Sequence, residues 1–112
     1  MRSPQSPAPA TPPAPKVFRQ ELSPIHFMER AGEIFADRTS VTDGDRRFTW
    51  RETRARTRRL ASALRADDLK KGDRIAFLAF NSEPLLIAHT AIPLAGGVLV
   101  AREGKKSNVR LK

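Results

Sequence analysis

Side chains able to do chemistry are few in these 112 residues, and the sequence does not draw them together. With no cysteine, the chain has no thiolate nucleophile, no disulfide framework and no Cys-based zinc or iron–sulfur site. Two histidines, His26 and His89, cannot alone make a metal cluster. His26 is expected beside the polar face of a first helical turn, solvated or capping, and His89 beside Leu85 and Ile92 as a hydrogen-bonded core histidine. Ser82 follows Asn81 with no base nearby, which suits a helix cap rather than a nucleophile. Gly96-Gly97 lacks the third glycine and the distal acid of a dinucleotide fingerprint. Gly104-Lys105-Lys106-Ser107 looks like the end of a phosphate loop, but Leu99 stands where that motif needs glycine and Lys106 takes the hydroxyl position. Asp43, Asp45, Asp67, Asp68 and Asp73 fall in turn sequences, where local backbone hydrogen bonding is the ordinary use of aspartate. No catalytic, cofactor-binding or metal-ligating residue is therefore assigned.

The elements that would position any such group are easier to read. Ser23-Pro24 is an N-cap followed by proline at the first helical position, and Ile25, Met28, Ala31 and Phe35 recur at helical spacing, predicting a helix that ends near Asp37. Thr39 to Thr42, Asp43-Gly44 and Arg47-Phe48-Thr49 predict a β-hairpin. Thr49-Trp50-Arg51-Glu52 fits a capping box. In the helix it opens, Trp50, Thr53, Thr57, Leu60, Ala61 and Leu64 form the core stripe. Arg51, Arg54, Arg56, Arg58, Arg59 and Arg65 lie outside it, solvated or paired with carboxylates elsewhere.

After the turn at Lys71-Gly72-Asp73, the apolar run Arg74 to Phe80 predicts a strand buried on both faces. Asn81-Ser82-Glu83-Pro84 supplies helix-start signals, and Leu85 to Ala95, apolar on every side, predicts a buried helix that Pro93 kinks or ends. Gly96-Gly97 turns the chain into Val98-Leu99-Val100. Strand, helix and strand make one βαβ unit with parallel strands.

The net charge of +9 belongs mainly to the ends. Residues 1–20 carry +3 and residues 102–112 carry +4, while residues 21–101 are almost balanced at +2. Residues 1–20 hold six of the nine prolines and cannot bury enough apolar surface to order themselves, so they are expected to be a disordered leader in extended polyproline geometry. The leader has no apolar core of a secretory signal. An arginine-rich helix leaves a basic nucleic-acid-binding module open as an alternative. The uncharged run Pro84 to Ala101, followed by Arg102, Lys105 and Lys106, leaves open a membrane-anchored interaction protein. Neither a nucleic acid nor a membrane span is expected.

The order of the segments LSPIHFMERAGEIFADRTSV, DGDRRFTWRETRARTRRLASAL and KKGDRIAFLAFNSEPLLIAHTAIPLAGGVLV resembles the amino-terminal stretch of acyl-CoA synthetases of the adenylate-forming, AMP-binding family, of the medium-chain and plant acyl-activating type. Its most specific pieces are Phe48-Thr49-Trp50 leading into LASAL, and the GDR strand followed by Asn81. The resemblance implies an α/β fold: an incomplete amino-terminal subdomain with a β-hairpin, three helices and one parallel βαβ unit. It also implies a parent acid–thiol ligase using ATP, magnesium and coenzyme A on a small-molecule carboxylate. That ligase would be cytoplasmic, or alternatively in the peroxisome. The family's phosphate loop, adenine motif, ribose-binding aspartate and carboxy-terminal lysine have no counterpart here, so this chain alone is expected to be inactive and to hold no cofactor. The resulting division is a Pro-rich leader at 1–20, a partial subdomain at 21–101, and a basic tail at 102–112 whose composition departs from the family.

Overall fold

The computed structural model describes residue 4 and residues 6–103. Residues 6–23 form no helix or strand. The first helix, α1, spans Pro24–Ile34, opened by Ser23, whose Oγ accepts from the Ile25 N–H, and by Pro24. It stops three residues short of Asp37, and of the expected stripe only Met28 is fully buried while Phe35 lies exposed beyond the helix end. A hairpin follows, β1 (Thr39–Asp43) and β2 (Arg46–Thr49), antiparallel across the loop Gly44-Asp45. Gly44 takes φ +59° at the first loop position, where a tight two-residue hairpin turn asks for glycine.

Helix α2, Trp50–Ala66, begins with the capping box in place: Thr49 Oγ1 accepts from Glu52 N–H at 3.2 Å, and Glu52 Oε2 accepts from Thr49 N–H at 2.8 Å. Two more of its first amides donate to carbonyls before the hairpin, Trp50 to Arg38 and Arg51 to Ala36. These bonds seat the helix on the α1–β1 connection. Strand β3 (Arg74–Ala79), helix α3 (Glu83–Ala95) and strand β4 (Val98–Glu103) complete the βαβ unit, with β3 and β4 parallel from Arg74 opposite Val98 to Ala79 opposite Glu103. Gly96, at φ +95°, ends α3 two residues beyond Pro93, which therefore sits inside the last turn. β4 continues through Arg102 and Glu103, two residues past Ala101; the rest of the basic tail, 104–112, lies outside the described residues.

The core lies where α2 crosses α3. Ala61, Ile87, Ala91 and Ala95 are buried there, with Leu60, Leu64, Leu69 and Leu94 packed around them. Small side chains bring the two helices close, and the hydroxyls of Thr57 and Thr90 meet across the seam at 3.1 Å. Thr90 spends its proton on the Ile87 carbonyl, so Thr57 is the donor, and no buried side-chain polar atom among the described residues lacks a partner.

Two burial expectations fail, both for want of a covering layer. α3 is buried on its core side only, with Leu86, His89 and Pro93 exposed along the other. β3 alternates instead of being buried throughout: Ile75, Phe77 and Ala79 are half-buried, whereas Ala76 and Leu78 are exposed. Among the described residues nothing packs on the second face of the sheet.

Candidate functional site

Charged groups converge at two places, and both tie elements together. In the first, Glu29 of α1 accepts from Arg54 Nε at 2.7 Å and from Arg58 Nε and Nη2 at 2.9 and 2.5 Å, one carboxylate bridging two successive turns of α2. Partial burial works against the Glu29 anion, yet the bonds from Arg58 and Arg54 outweigh it and hold the carboxyl below its usual range. The same bond pushes Arg58 up.

In the second, Glu83 at the start of α3 is wholly buried and accepts the fork of Arg56 at 2.5 and 3.1 Å. The Arg56 guanidinium lies over the Phe48 ring, 5.2 Å from its centroid. The Glu83 N–H donates to Asp43 Oδ2 at 3.1 Å, so a hairpin residue caps α3. That backbone bond, helped by Arg46, holds the Asp43 carboxyl below its ordinary value. Ser82, the expected cap, instead donates to its neighbour carbonyl of Phe80.

Between α1, the hairpin and the exposed side of α3 runs an open groove of about 680 Å³, within the range of ligand pockets. Phe27, Ala31, Ile34, Phe35, Val41, Trp50 and Leu86 make it apolar. Its hydroxyls are already engaged. Ser40, the extra residue of a β-bulge, points its Oγ at the Phe48 and Thr49 carbonyls and receives the hydroxyl of Thr53, while Thr90 bonds Ile87 and Thr57. Arg30 is the one charged residue of its lining, so the groove is an apolar surface with a single cation and no acid–base pair to activate a reacting atom.

The residues weighed from sequence do not meet. His26 is exposed and bonds Gln20 at 2.6 Å. His89 is hydrogen-bonded as expected, Nδ1 to the Leu85 carbonyl at 2.8 Å, but it is exposed rather than in the core. Asp73 accepts from Lys70 N–H within its turn. Gly104 to Ser107 lie outside the described residues. Gly96-Gly97 does not present a phosphate cradle: the Gly96 and Gly97 N–H groups, the donors an anion would need, are spent on the Pro93 and Ile92 carbonyls at 3.0 and 2.9 Å. No trio of His, Asp or Glu among the described residues could hold a metal ion. Among the described residues, the groups weighed from sequence therefore form no common site.

The described residues thus form a hairpin ahead of a parallel βαβ unit, the two tied together by arginines of the intervening helix. Residues 28–106 match the family model of the AMP-binding enzyme. The chain belongs to that family. It is 49% identical over 78 residues to the Arabidopsis thaliana protein named "Probable acyl-activating enzyme 21", and 42% identical to acetate–CoA ligase of Humulus lupulus; each match covers 70% of this chain and 14% of the relative. Among solved structures, the amino-terminal subdomain of Klebsiella oxytoca NpsA superposes with a TM-score of 0.66 at 28% identity, covering 70% of this chain and 21% of that one. The chain spans about one seventh of the length of the curated relatives it matches.

Proposed function

We propose that this segment supplies the amino-terminal framework of an acyl-CoA ligase, which joins a carboxylate to the AMP of ATP with release of pyrophosphate and then passes the acyl group to coenzyme A, releasing AMP. The family match over residues 28–106 carries this reading. ATP, magnesium and coenzyme A are held by parts of the ligase other than this segment, in keeping with the engaged amides of Gly96 and Gly97 and the engaged hydroxyls of the groove. The segment alone adenylates nothing. Its substrate is a small carboxylate only in the context of the whole ligase. The cytosol is the proposed compartment, with the peroxisome as the alternative that the name of the peroxisomal benzoate–CoA ligase of Arabidopsis thaliana suggests. No nucleic-acid partner is proposed, since Arg51, Arg54, Arg56 and Arg58 are all engaged with carboxylates. No described helix is long and apolar enough to cross a membrane.

The test has two arms. The purified chain is expected to show no ATP–pyrophosphate exchange with acetate, butyrate or benzoate above an empty-vector preparation; exchange that copurifies with it would overturn the proposal. Residues 28–103 placed in the hop acetate–CoA ligase, in exchange for the matching segment, should give a soluble ligase that still forms acetyl-CoA. An insoluble or inactive chimera, beside an active parent, would count against the framework reading.

A further inference from the structure

The leader lies before the family match and is not used by the framework. Its prolines are not scattered. A polyproline II helix has three residues per turn, so positions three apart share a ridge. Pro4, Pro7 and Pro13 then fall on one ridge, and Pro9, Pro12 and Pro15 on the next. The third ridge carries Ala8, Thr11 and Ala14. Lys16 and Arg19 extend the first ridge and Phe18 the second, and residues 1–20 contain no acid.

The structure leaves this surface open. Residues 6–20 are exposed and in neither helix nor strand, with Val17 and Phe18 at 74% and 85%. The molecule measures 95 × 33 × 25 Å, its long axis far beyond what the packed elements need.

We propose that residues 7–19 are a linear recognition element that docks as a polyproline II helix into an aromatic-lined groove with an acidic rim, the kind carried by SH3 domains. Such grooves take two adjacent proline ridges between aromatic rings at little entropic cost, because the ligand is already extended, and a cation beyond the prolines sets direction against an acidic rim. Lys16 and Arg19 are those cations. This docking is independent of whether the rest of the chain belongs to a working ligase.

The full chain would be titrated into isotope-labelled SH3 domains, a panel with acidic groove rims and one with a neutral rim. Shifts confined to the aromatic groove of acidic-rim domains are expected, with binding at least about fivefold weaker at the neutral rim. Replacing Pro12 and Pro15 together by Ala should abolish the shifts, and Lys16→Glu with Arg19→Glu should weaken binding by about tenfold or more. None of these residues packs on the folded elements, so circular dichroism of the variants should match the parent. No groove shifts across the acidic panel would overturn the proposal. So would binding that survives loss of the prolines, which would reveal charge attraction alone.

Discussion

Glu83 explains the placement of three elements at once. A carboxylate with a fully buried side chain is costly unless its partner and hydrogen bonds are complete, and Arg56 completes it with a two-pronged contact while resting on Phe48. Arg56→Ala strands that charge and should cost about 3–5 kcal/mol of folding free energy; Arg56→Lys, which keeps charge but loses the fork, should cost clearly less. Urea denaturation decides, and equal midpoints for the two variants would contradict the geometry. Glu29 and Asp43 predict a pH dependence. Both are held below their ordinary values of 4.5 and 3.8, so the stability they add is complete above those values and is lost as pH falls through the lower, folded ones. Glu29→Gln should therefore flatten the acid limb of stability against pH, and parallel limbs for parent and variant would exclude the arginine clamp as its source. That these arginines lie off the core stripe, solvated or paired with carboxylates, is readable from their positions, but the pairing itself is not. Glu29 and Glu83 lie 25 to 29 residues away and become neighbours only on packing.

At the scale of elements, local signals and packing divide the work. Thr49–Glu52 is legible because a capping box is closed by residues three apart, and Thr49→Ala should cost about 1 kcal/mol in thermal unfolding. Gly32 is not legible as a core residue, since it adds nothing to a hydrophobic stripe. It is buried because α1 crosses α2 there, and a Cβ would come within 2.6 Å of Arg54 Cδ and 2.9 Å of its Cβ. Alanine favours a helix over glycine by about 0.5–1 kcal/mol, yet crowding of this kind costs about 1–3 kcal/mol, so Gly32→Ala should destabilise. Arg54→Ala in the same chain should recover part of that loss despite breaking one Glu29 bond. Simple addition of the two single effects would show that the crossing is looser than the distances say. The bulge at Ser40 and the capping of α3 by Asp43 are hidden for the same reason: each is a bond between elements, invisible to periodicity.

Across the whole molecule, the apolar run of β3 signals burial on two faces, but a strand's sequence records the layers it packs against wherever they come from. Among the described residues one layer, α3, covers one face. Because β3 and β4 pair in register, Ala76 and Leu78 share the other face with Val98 and Val100, and Leu78, Val98 and Val100 are 57%, 49% and 41% exposed. A two-stranded sheet is marginal by itself, and both of its strands also carry an unpaired edge among the described residues. Apolar face and open edges together favour association over a dispersed monomer. Sedimentation velocity of the isolated chain should therefore show weight-average mass rising with concentration. Leu78→Thr with Val100→Thr, two β-branched residues that keep strand propensity while removing apolar surface, should return the chain toward monomer and change folding stability by no more than about 0.5 kcal/mol. A parent that stays monomeric at about 100 μM, a concentration at which even weak contacts of some 5–6 kcal/mol begin to show, would mean that this face does not drive association. Association that persists unchanged in the double variant would move the contact to the groove lined by Phe27, Ile34 and Leu86, the other apolar surface left uncovered.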